Sequence, residues 1–159
     1  MQEPRIELLP ERTFVGLHTR ASFATHRPEV LWRRFGPLRR GIANAIGTGR
    51  FSMAVYGPGF FDAFDPHRAF EQWATVEVAD AAHVPEGMAV LRAAGLYAVF
   101  IHRGPASDGP RTFRYIFGTW LPASRYEVDQ RPHFEVMGPG YDPDAEEAEE
   151  ALWIPVRER

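Results

Sequence analysis

The sequence has no cysteine and no lysine, and none of its hydrophobic runs approaches the ~20 residues that a membrane span requires. Without cysteine, the chain can form no disulfide bond, thiolate metal site or cysteine nucleophile. This absence is typical of proteins from a reducing compartment. The first residues also lack the basic and then apolar pattern of a signal peptide. We therefore expect a cytoplasmic protein with no membrane partner.

Basic charge is not in excess either. All 18 basic residues are arginine, and with 21 acidic residues the net charge is −3 when histidine is neutral. Proteins that bind nucleic acid mainly through charge carry a basic surface, which this composition does not favour. Only residues 1–11 precede the first predicted strand, too few for a helix-turn-helix, so we expect no direct contact with nucleic acid.

Several catalytic and cofactor motifs are missing. There is no Gly-x-Ser-x-Gly nucleophile elbow, and no glycine-rich loop stands in the context needed to bind phosphate. The 6 histidines are scattered rather than set at metal-ligand spacing. The sequence thus predicts no metal site, no cofactor and no serine nucleophile.

Hydrophobic periodicity predicts the same order of strand, helix, strand and strand twice along the chain. The predicted elements of the first half are a strand at 12–19, a helix at 30–46 interrupted by Pro37, and strands at 51–56 and 73–78. Those of the second half are a strand at 96–102, a helix at about 110–121, a strand at 133–137, a turn at 138–140 and a strand at 152–156.

This order predicts an α+β fold in which residues 1–159 form one domain of two repeats, at about 12–80 and about 96–156. Each repeat alone is too small to bury its sheet well. We expect the duplicated β-α-β-β modules to form one antiparallel sheet with two helices on one face. The other face would be concave, because sheets twist, and would hold a ligand groove between the modules.

Alternation along the strand at 133–137 singles out an acid. His133, Glu135 and Met137 share one face, whereas Phe134 and Val136 share the other. We interpret the Phe134 face as the core under the helices, so that Glu135 points to the open face. There it is either an ordinary solvated carboxylate or the floor of a pocket, where partial desolvation would raise its pKa.

Aromatic residues make up 13% of the chain, more than two helices on six strands require. Phe60, Phe61 and Phe64 fall in a loop flanked by Gly and Pro, where they would be an apolar liability unless folded over the sheet as a pocket wall or lid. The predicted ligand-binding residues are Glu135, Tyr56, Trp73, Tyr97, Phe61, His133 and Met137.

Four segments together resemble a known family. They are YAVFIHRG at 97–104, WLPAS at 120–124, RPHFEV at 131–136 and IPV at 154–156. The combination resembles the GyrI-like small-molecule-binding family, the effector-binding domain also fused to AraC- and MerR-type regulators, over essentially the whole chain.

The resemblance implies a duplicated β-α-β-β fold with a central ligand groove and lipophilic, often cationic aromatic ligands. It also implies that a glutamate on the penultimate strand is the key acid of the pocket, and Glu135 occupies that position. The sequence departs from the family after this acid, where Val136 replaces the commoner tyrosine and the nearest tyrosine is Tyr141.

Three functions follow from this interpretation. The first is a stand-alone protein that binds lipophilic cationic or aromatic small molecules, with Glu135 paired to a ligand cation or hydrogen-bond donor. The second is a hydrolase of reactive, cyclopropane-type natural products, in which Glu135 would be the catalytic acid or base. The third is a gyrase-inhibitor-like interaction module. Its acidic segment at 142–150 would mimic nucleic acid, although we favour a solvated loop there. A homodimer and DNA gyrase are the further partners to test.

Overall fold

Seven strands and three α-helices form the regular part of the structure, a computed structural model that describes residues 2–138 and 141–159. The strands are β1 (Arg5–Ala21), β2 (Arg50–Val55), β3 (Phe70–Val78), β4 (Ala89–Arg103), β5 (Tyr126–Val128), β6 (His133–Met137) and β7 (Glu149–Glu158). The helices are α1 (Pro28–Leu38), α2 (Gly109–Tyr115) and α3 (Leu121–Ala123), with a π-helical turn (Ile116–Trp120) between α2 and α3. The predicted turn at 138–140 lies in part outside the described residues.

Antiparallel pairing closes six of these strands into a ring. The order around it is β1-β3-β2-β6-β7-β4, and β4 pairs with both β7 and β1. The order β1-β3-β2 of the first half has its counterpart in β4-β7-β6 of the second. The α+β fold class and the single antiparallel sheet are thus confirmed, while the repeat boundaries at about 12–80 and 96–156 stay a prediction.

The face of the sheet away from the helices forms the packed interior of the ring. Ten buried side chains from all six ring strands fill it: Leu9, Phe14, Phe51, Met53, Trp73, Ala93, Tyr97, Val99, Phe134 and Trp153. We expected an open, concave groove on this face, and the structure has a closed core there instead. A ring of so few strands encloses only enough space for its own side chains.

Two glycines allow the ring to close. Gly16 of β1 approaches β3 so closely that a Cβ atom there would lie 1.9 Å from the carbonyl oxygen of Ala74. The pairing of β1 with β4 shifts register between Leu9 and Arg12, and Gly95 of β4 has a φ of +104° at this irregularity. Bulges and glycine kinks of this kind bend a twisted sheet far enough for its ends to meet.

The helices pack on the outer surface of the ring. Leu31 and Phe35 of α1 are buried against Val76 of β3 and its neighbours. Ile116, at the end of α2, packs against Phe100 of β4. The outer surface of β2 and β6 lies between these two helical layers, and we call it the cleft. No helix within residues 2–138 and 141–159 is long and apolar enough to cross a membrane.

Helix α1 is shorter than predicted. It ends at Leu38, one residue after Pro37, which has no N–H to donate to a helical hydrogen bond. A short 3-10 turn follows, and Ala45 then forms a β-bridge with Val78. The predicted interruption at Pro37 is where the helix stops, but the prediction that helix continues to Ile46 is wrong, because apolar spacing alone does not show where the chain leaves the helix.

Candidate functional site

Glu135 lies on the outer surface of the ring, on the same side as the helices. Its Cα atom is opposite Ser52 of β2 and Leu152 of β7. Directly opposed residues of antiparallel strands point to the same face, and Leu152 belongs to the apolar cluster under α2 and α3. Glu135 therefore faces the cleft. The expectation that Phe134 packs under the helices is wrong, since Phe134 is buried inside the ring.

Four polar side chains cross the outer surface of the sheet in a line, which we call the polar row: Gln72 of β3, Ser52 of β2, Glu135 of β6 and Glu150 of β7. Gln72 Nε2 donates a hydrogen bond of 2.8 Å to Ser52 Oγ. Glu150 stands two residues before Leu152, so it is the diagonal neighbour of Glu135 on the same face. The duplicated topology thus places a neutral pair in one half and a pair of acids in the other.

The two acids differ in their access to water. Glu150 is buried, with 7% of its surface exposed. Glu135 is exposed as a residue. Protein atoms nevertheless surround its carboxylate closely, and this desolvation is the largest cause of its raised pKa. Both properties fit a group on the floor of a cleft that water can enter, where the surrounding protein atoms raise the pKa of the carboxyl group.

The acid pair favours a proton on Glu135. The pKa of Glu135 is raised well above its ordinary 4.5. The largest cause is desolvation, followed by the negative charge of Glu150 and a hydrogen bond with Glu150. Within residues 2–138 and 141–159, neither acid forms an ion pair with arginine or histidine. No group of three or more His, Asp or Glu side chains in this part of the chain could hold a metal ion. The acid pair therefore leaves a negative charge in the cleft that no ion pair compensates among the described residues. Arg50 of β2 lies on the same face, opposite Met137, and its Nη2 atom donates to the carbonyls of Gly138 and Tyr141 instead.

Two tyrosines stand close to this pair. Burial, and then the charge of Glu135, raise the pKa of Tyr56 above its ordinary value. Burial, and then the charges of Glu150 and Glu135, raise the pKa of Tyr141 to about 12. Both phenols therefore keep their protons at neutral pH and can donate hydrogen bonds beside the acids.

Aromatic side chains close over the end of the cleft nearest to Tyr56. We call this group the aromatic cover: Phe23, Phe60, Phe61, Phe113 and Phe117. Phe61 stacks on Phe117 with ring centroids 4.8 Å apart, which joins the loop after β2 to the helical layer of the second half. Phe64, in the same loop, is 74% exposed and contacts the edge of this group, with its ring stacked on Phe23 at a centroid distance of 6.1 Å. The loop does fold over the sheet, as the sequence led us to expect.

His133 and Met137 flank Glu135 on its own strand. His133 contacts Tyr56 and Phe61, with ring centroids 4.7 and 5.5 Å apart. Burial, and then the positive charge of Arg131, lower the pKa of His133 to about 3, so the imidazole is neutral. Five of the seven predicted ligand-binding residues therefore lie on one side of the sheet: Glu135, Tyr56, Phe61, His133 and Met137.

The structure does not bring Trp73 and Tyr97 to this site. Both are buried inside the ring, where Trp73 Nε1 donates to Glu71 and the Tyr97 hydroxyl donates to the carbonyl of Pro132. Because alternate residues point to opposite faces, Gln72 faces the helices and Trp73 cannot. Both rings were expected as walls of the ligand groove, and both are core residues.

Glu150 is the residue of the site that sequence reasoning missed. It was placed in a solvated acidic loop at 142–150, whereas β7 begins at Glu149 and Glu150 is buried. The signal was present in the alternation of Glu150, Leu152 and Ile154, which share one face of the strand. Because the strand was predicted to start at residue 152, Glu150 was not included in this pattern.

Replacing Glu150 with glutamine is expected to stabilise the protein at high pH only. The native state holds the proton of Glu135 at pH values where an unfolded glutamate, with a pKa near 4.5, has released it. Stability of the wild type therefore falls as the pH rises from about 4.5 through the raised pKa. Removing Glu150 removes the repulsion that raises this pKa, so the fall becomes shallower.

Urea unfolding of Glu150→Gln at pH 4, 6 and 8 measures this change. The exposed neighbour Glu149, paired with Arg103, supplies the control Glu149→Gln, for which the pH dependence of the free energy of unfolding should match the wild type. Equal destabilisation by Glu150→Gln at all three pH values would contradict the prediction.

A closed ring of antiparallel strands with two outer helical layers and an acid-floored cleft between them defines a small α+β domain suited to hold a ligand on its outer surface. The chain belongs to the GyrI-like family, since its residues 2–157 match the GyrI-like small molecule binding domain. No curated protein sequence is significantly similar to it.

Solved structures of the same fold include SAV2435 bound to tetraphenylphosphonium, which is 17% identical, with a TM-score of 0.72 over 98% of this chain and 94% of that one. The C-terminal domain of EcmrR is 13% identical, with a TM-score of 0.69 over 99% and 98%. A hydrolase from Listeria innocua is 14% identical, with a TM-score of 0.64 over 98% and 92%. At these identities the likeness shows the fold alone.

Proposed function

We propose that this protein binds lipophilic organic cations in the cleft, with Glu135 as the negative charge beneath the ligand. The observation that carries the proposal is the acid pair of Glu135 and Glu150, which forms no ion pair within the described residues. A cation brought to Glu135 would compensate a charge that the protein leaves uncompensated. Tetraphenylphosphonium, held by the relative SAV2435, is a cation of this class.

Aromatic side chains next to the acid support the same ligand class. Tyr56, Phe61 and His133 present ring surfaces to the end of the cleft, and aromatic faces attract organic cations by about 0.5–2 kcal/mol each. A cavity of about 190 Å³ opens at the edge of the aromatic cover. Tyr56, Phe61 and His133 line it, and Glu135 is not among its described lining residues. Ligand pockets usually measure about 300–1,000 Å³, so the cover has to move when a large cation enters.

Replacing Phe61 with alanine is expected to weaken tetraphenylphosphonium binding by about five- to tenfold, because the ligand loses one aromatic wall. The control Phe64→Ala removes an exposed ring from the same loop and should change the dissociation constant by less than about twofold. Isothermal titration calorimetry measures both constants. Unchanged or tighter binding by Phe61→Ala would show that this ring does not form a wall.

A neutral ligand of similar shape tests the charge itself. Triphenylphosphine oxide should bind more weakly than tetraphenylphosphonium to the wild type, since it offers the acid pair no positive charge. Equal affinity for the two ligands would indicate a purely apolar site and would contradict the proposal that Glu135 selects cations.

The hydrolase and gyrase-inhibitor alternatives stay predictions, as do the homodimer and the cytoplasmic location. Glu135 would be the central group of the hydrolase as well as of the binding protein. Binding of an unreactive cation such as tetraphenylphosphonium is therefore the more direct test of the site.

A further inference from the structure

A second cavity lies beside the start of α1, at the Gln72 end of the polar row. Its volume is about 320 Å³. Its lining is rich in nitrogen donors and hydroxyls, and the polar members are Thr19, Arg20, Thr25, His26, Arg27, Arg34 and Gln72. No acidic residue is among the described residues that line it. We call it the arginine cavity.

The arginines of this cavity are available for a ligand. Arg34 lies in α1, three residues after Leu31, and Arg27 is the residue directly before the helix. Both line the cavity. Arg20 also lines the cavity, at the end of β1, but alternation along this strand directs its side chain to the face of His18 and Trp73 rather than to the face of Gln72. Within residues 2–138 and 141–159, neither Arg27 nor Arg34 forms an ion pair.

The floor of the arginine cavity is held by a fixed chain of hydrogen bonds. Gln72 is 4% exposed, and its Nε2 atom donates to the carbonyl of Trp73 and to Ser52 Oγ. The other end of the amide, Oε1, therefore accepts a hydrogen bond of 3.0 Å from His26 Nε2. This bond assigns the proton of the imidazole to Nε2 and leaves Nδ1 as an acceptor.

Positive charge in the cavity comes from arginine and not from histidine. Burial lowers the pKa of His26, against smaller raising effects of the hydrogen bond with Gln72 and the charge of Glu29. The imidazole is therefore neutral at neutral pH. An anion in this cavity would be bound by guanidinium groups, which stay charged at every physiological pH.

We propose that the arginine cavity binds a small organic phosphate. A guanidinium matches the geometry of phosphate oxygens with two parallel N–H donors, and a phosphate can accept from several arginines at once. Thr19 and Thr25 place hydroxyl groups along the same wall, while Val30 and Leu31 offer an apolar surface to the organic part of the ligand. This site takes the opposite charge from the cleft and does not depend on the function proposed for Glu135.

Isothermal titration calorimetry with phenyl phosphate at pH 7.5 tests the proposal. The double variant Arg27→Gln/Arg34→Gln should raise the dissociation constant by about tenfold or more. The control Arg33→Gln/Arg40→Gln removes the same charge from neighbouring positions outside the lining and should change it by less than about twofold. All four side chains are exposed, so both variants should fold as the wild type does.

Two further ligands complete the experiment. Benzoate should bind the wild type at least about fivefold more weakly than phenyl phosphate, because its carboxylate carries less charge and fewer acceptor oxygens. Benzyl alcohol, which is neutral, should not bind at the same concentrations. The proposal is overturned by an equal loss of affinity in both double variants, by equal binding of benzoate, or by no binding of phenyl phosphate at millimolar concentration.

Discussion

Replacing Glu135 with glutamine is expected to weaken tetraphenylphosphonium binding by about 10- to 100-fold at pH 8, equivalent to about 1.4–2.8 kcal/mol. Glutamine keeps the size and polarity of the side chain but removes the charge that the proposed ligand compensates. Within the described residues Glu135 forms no ion pair with arginine or histidine, so the ligand has no side-chain cation to displace from it. Isothermal titration calorimetry measures the change directly.

The pH dependence of binding should disappear in the same variant. The pKa of Glu135 is raised by burial and by Glu150, so the free protein holds a proton that a bound cation would displace. Wild-type affinity should therefore rise with pH through this raised pKa. Calorimetry in two buffers of different ionisation enthalpy should detect proton release on binding, and Glu135→Gln should abolish that release.

Glu149→Gln is the matched control, because it removes one negative charge from an exposed residue of β7 that is paired with Arg103. Its affinity and proton release should match the wild type. If Glu135→Gln retains both the affinity and the proton release of the wild type, the acid lies outside the binding site and the proposed function fails.

Replacing Gly16 with alanine is expected to destabilise the protein by about 3 kcal/mol or more. An added Cβ atom would lie 1.9 Å from the carbonyl oxygen of Ala74 and 2.8 Å from the Cα atom of Thr75. Both obstacles are backbone atoms of a buried strand, so no side chain can rotate away to make room. The pairing of β1 with β3 would have to separate, and the ring depends on that pairing.

Gly36→Ala provides the control for this substitution. Gly36 lies in α1, is exposed, and has no heavy atom within 4 Å of an added Cβ. Alanine is the better helix former, but Gly36 precedes Pro37, whose ring disfavours helical backbone at a residue that has a Cβ. The two effects oppose each other, so this variant should change the free energy of unfolding by less than about 1 kcal/mol. Urea unfolding followed by circular dichroism compares the two. Tolerance of Gly16→Ala would show that β1 and β3 do not need this close approach.

Much of the fold follows from local pattern. Apolar alternation located the six strands of the ring but not the three-residue β5, and the repeated order of elements predicted one antiparallel sheet. Alternation also placed His133, Glu135 and Met137 on a common face, and the structure keeps them there. These features depend on neighbours in the chain, which a single sequence shows.

Closure of the ring could not be predicted in the same way. It depends on β4 pairing with both β1 and β7, which are distant in sequence, and on the approach of Gly16 to β3. Since closure decides which face is interior, the predicted positions of Trp73 and Tyr97 were wrong although their strands were right. Alternation along a strand shows which residues share a face of the sheet, but it does not show which face becomes the interior of the ring.

Each of the six strands of the ring has a neighbour on both sides, so their backbone groups have no open edge to offer another chain. Intermolecular addition to any of these six strands, the usual route to aggregation in sheet proteins, therefore requires the ring to open first. The strand outside the ring, β5, has three residues and offers only a short edge. Self-association of the native protein would have to use side chains of the helices and loops. Resistance to fibril formation should accordingly depend on the stability of ring closure rather than on surface charge.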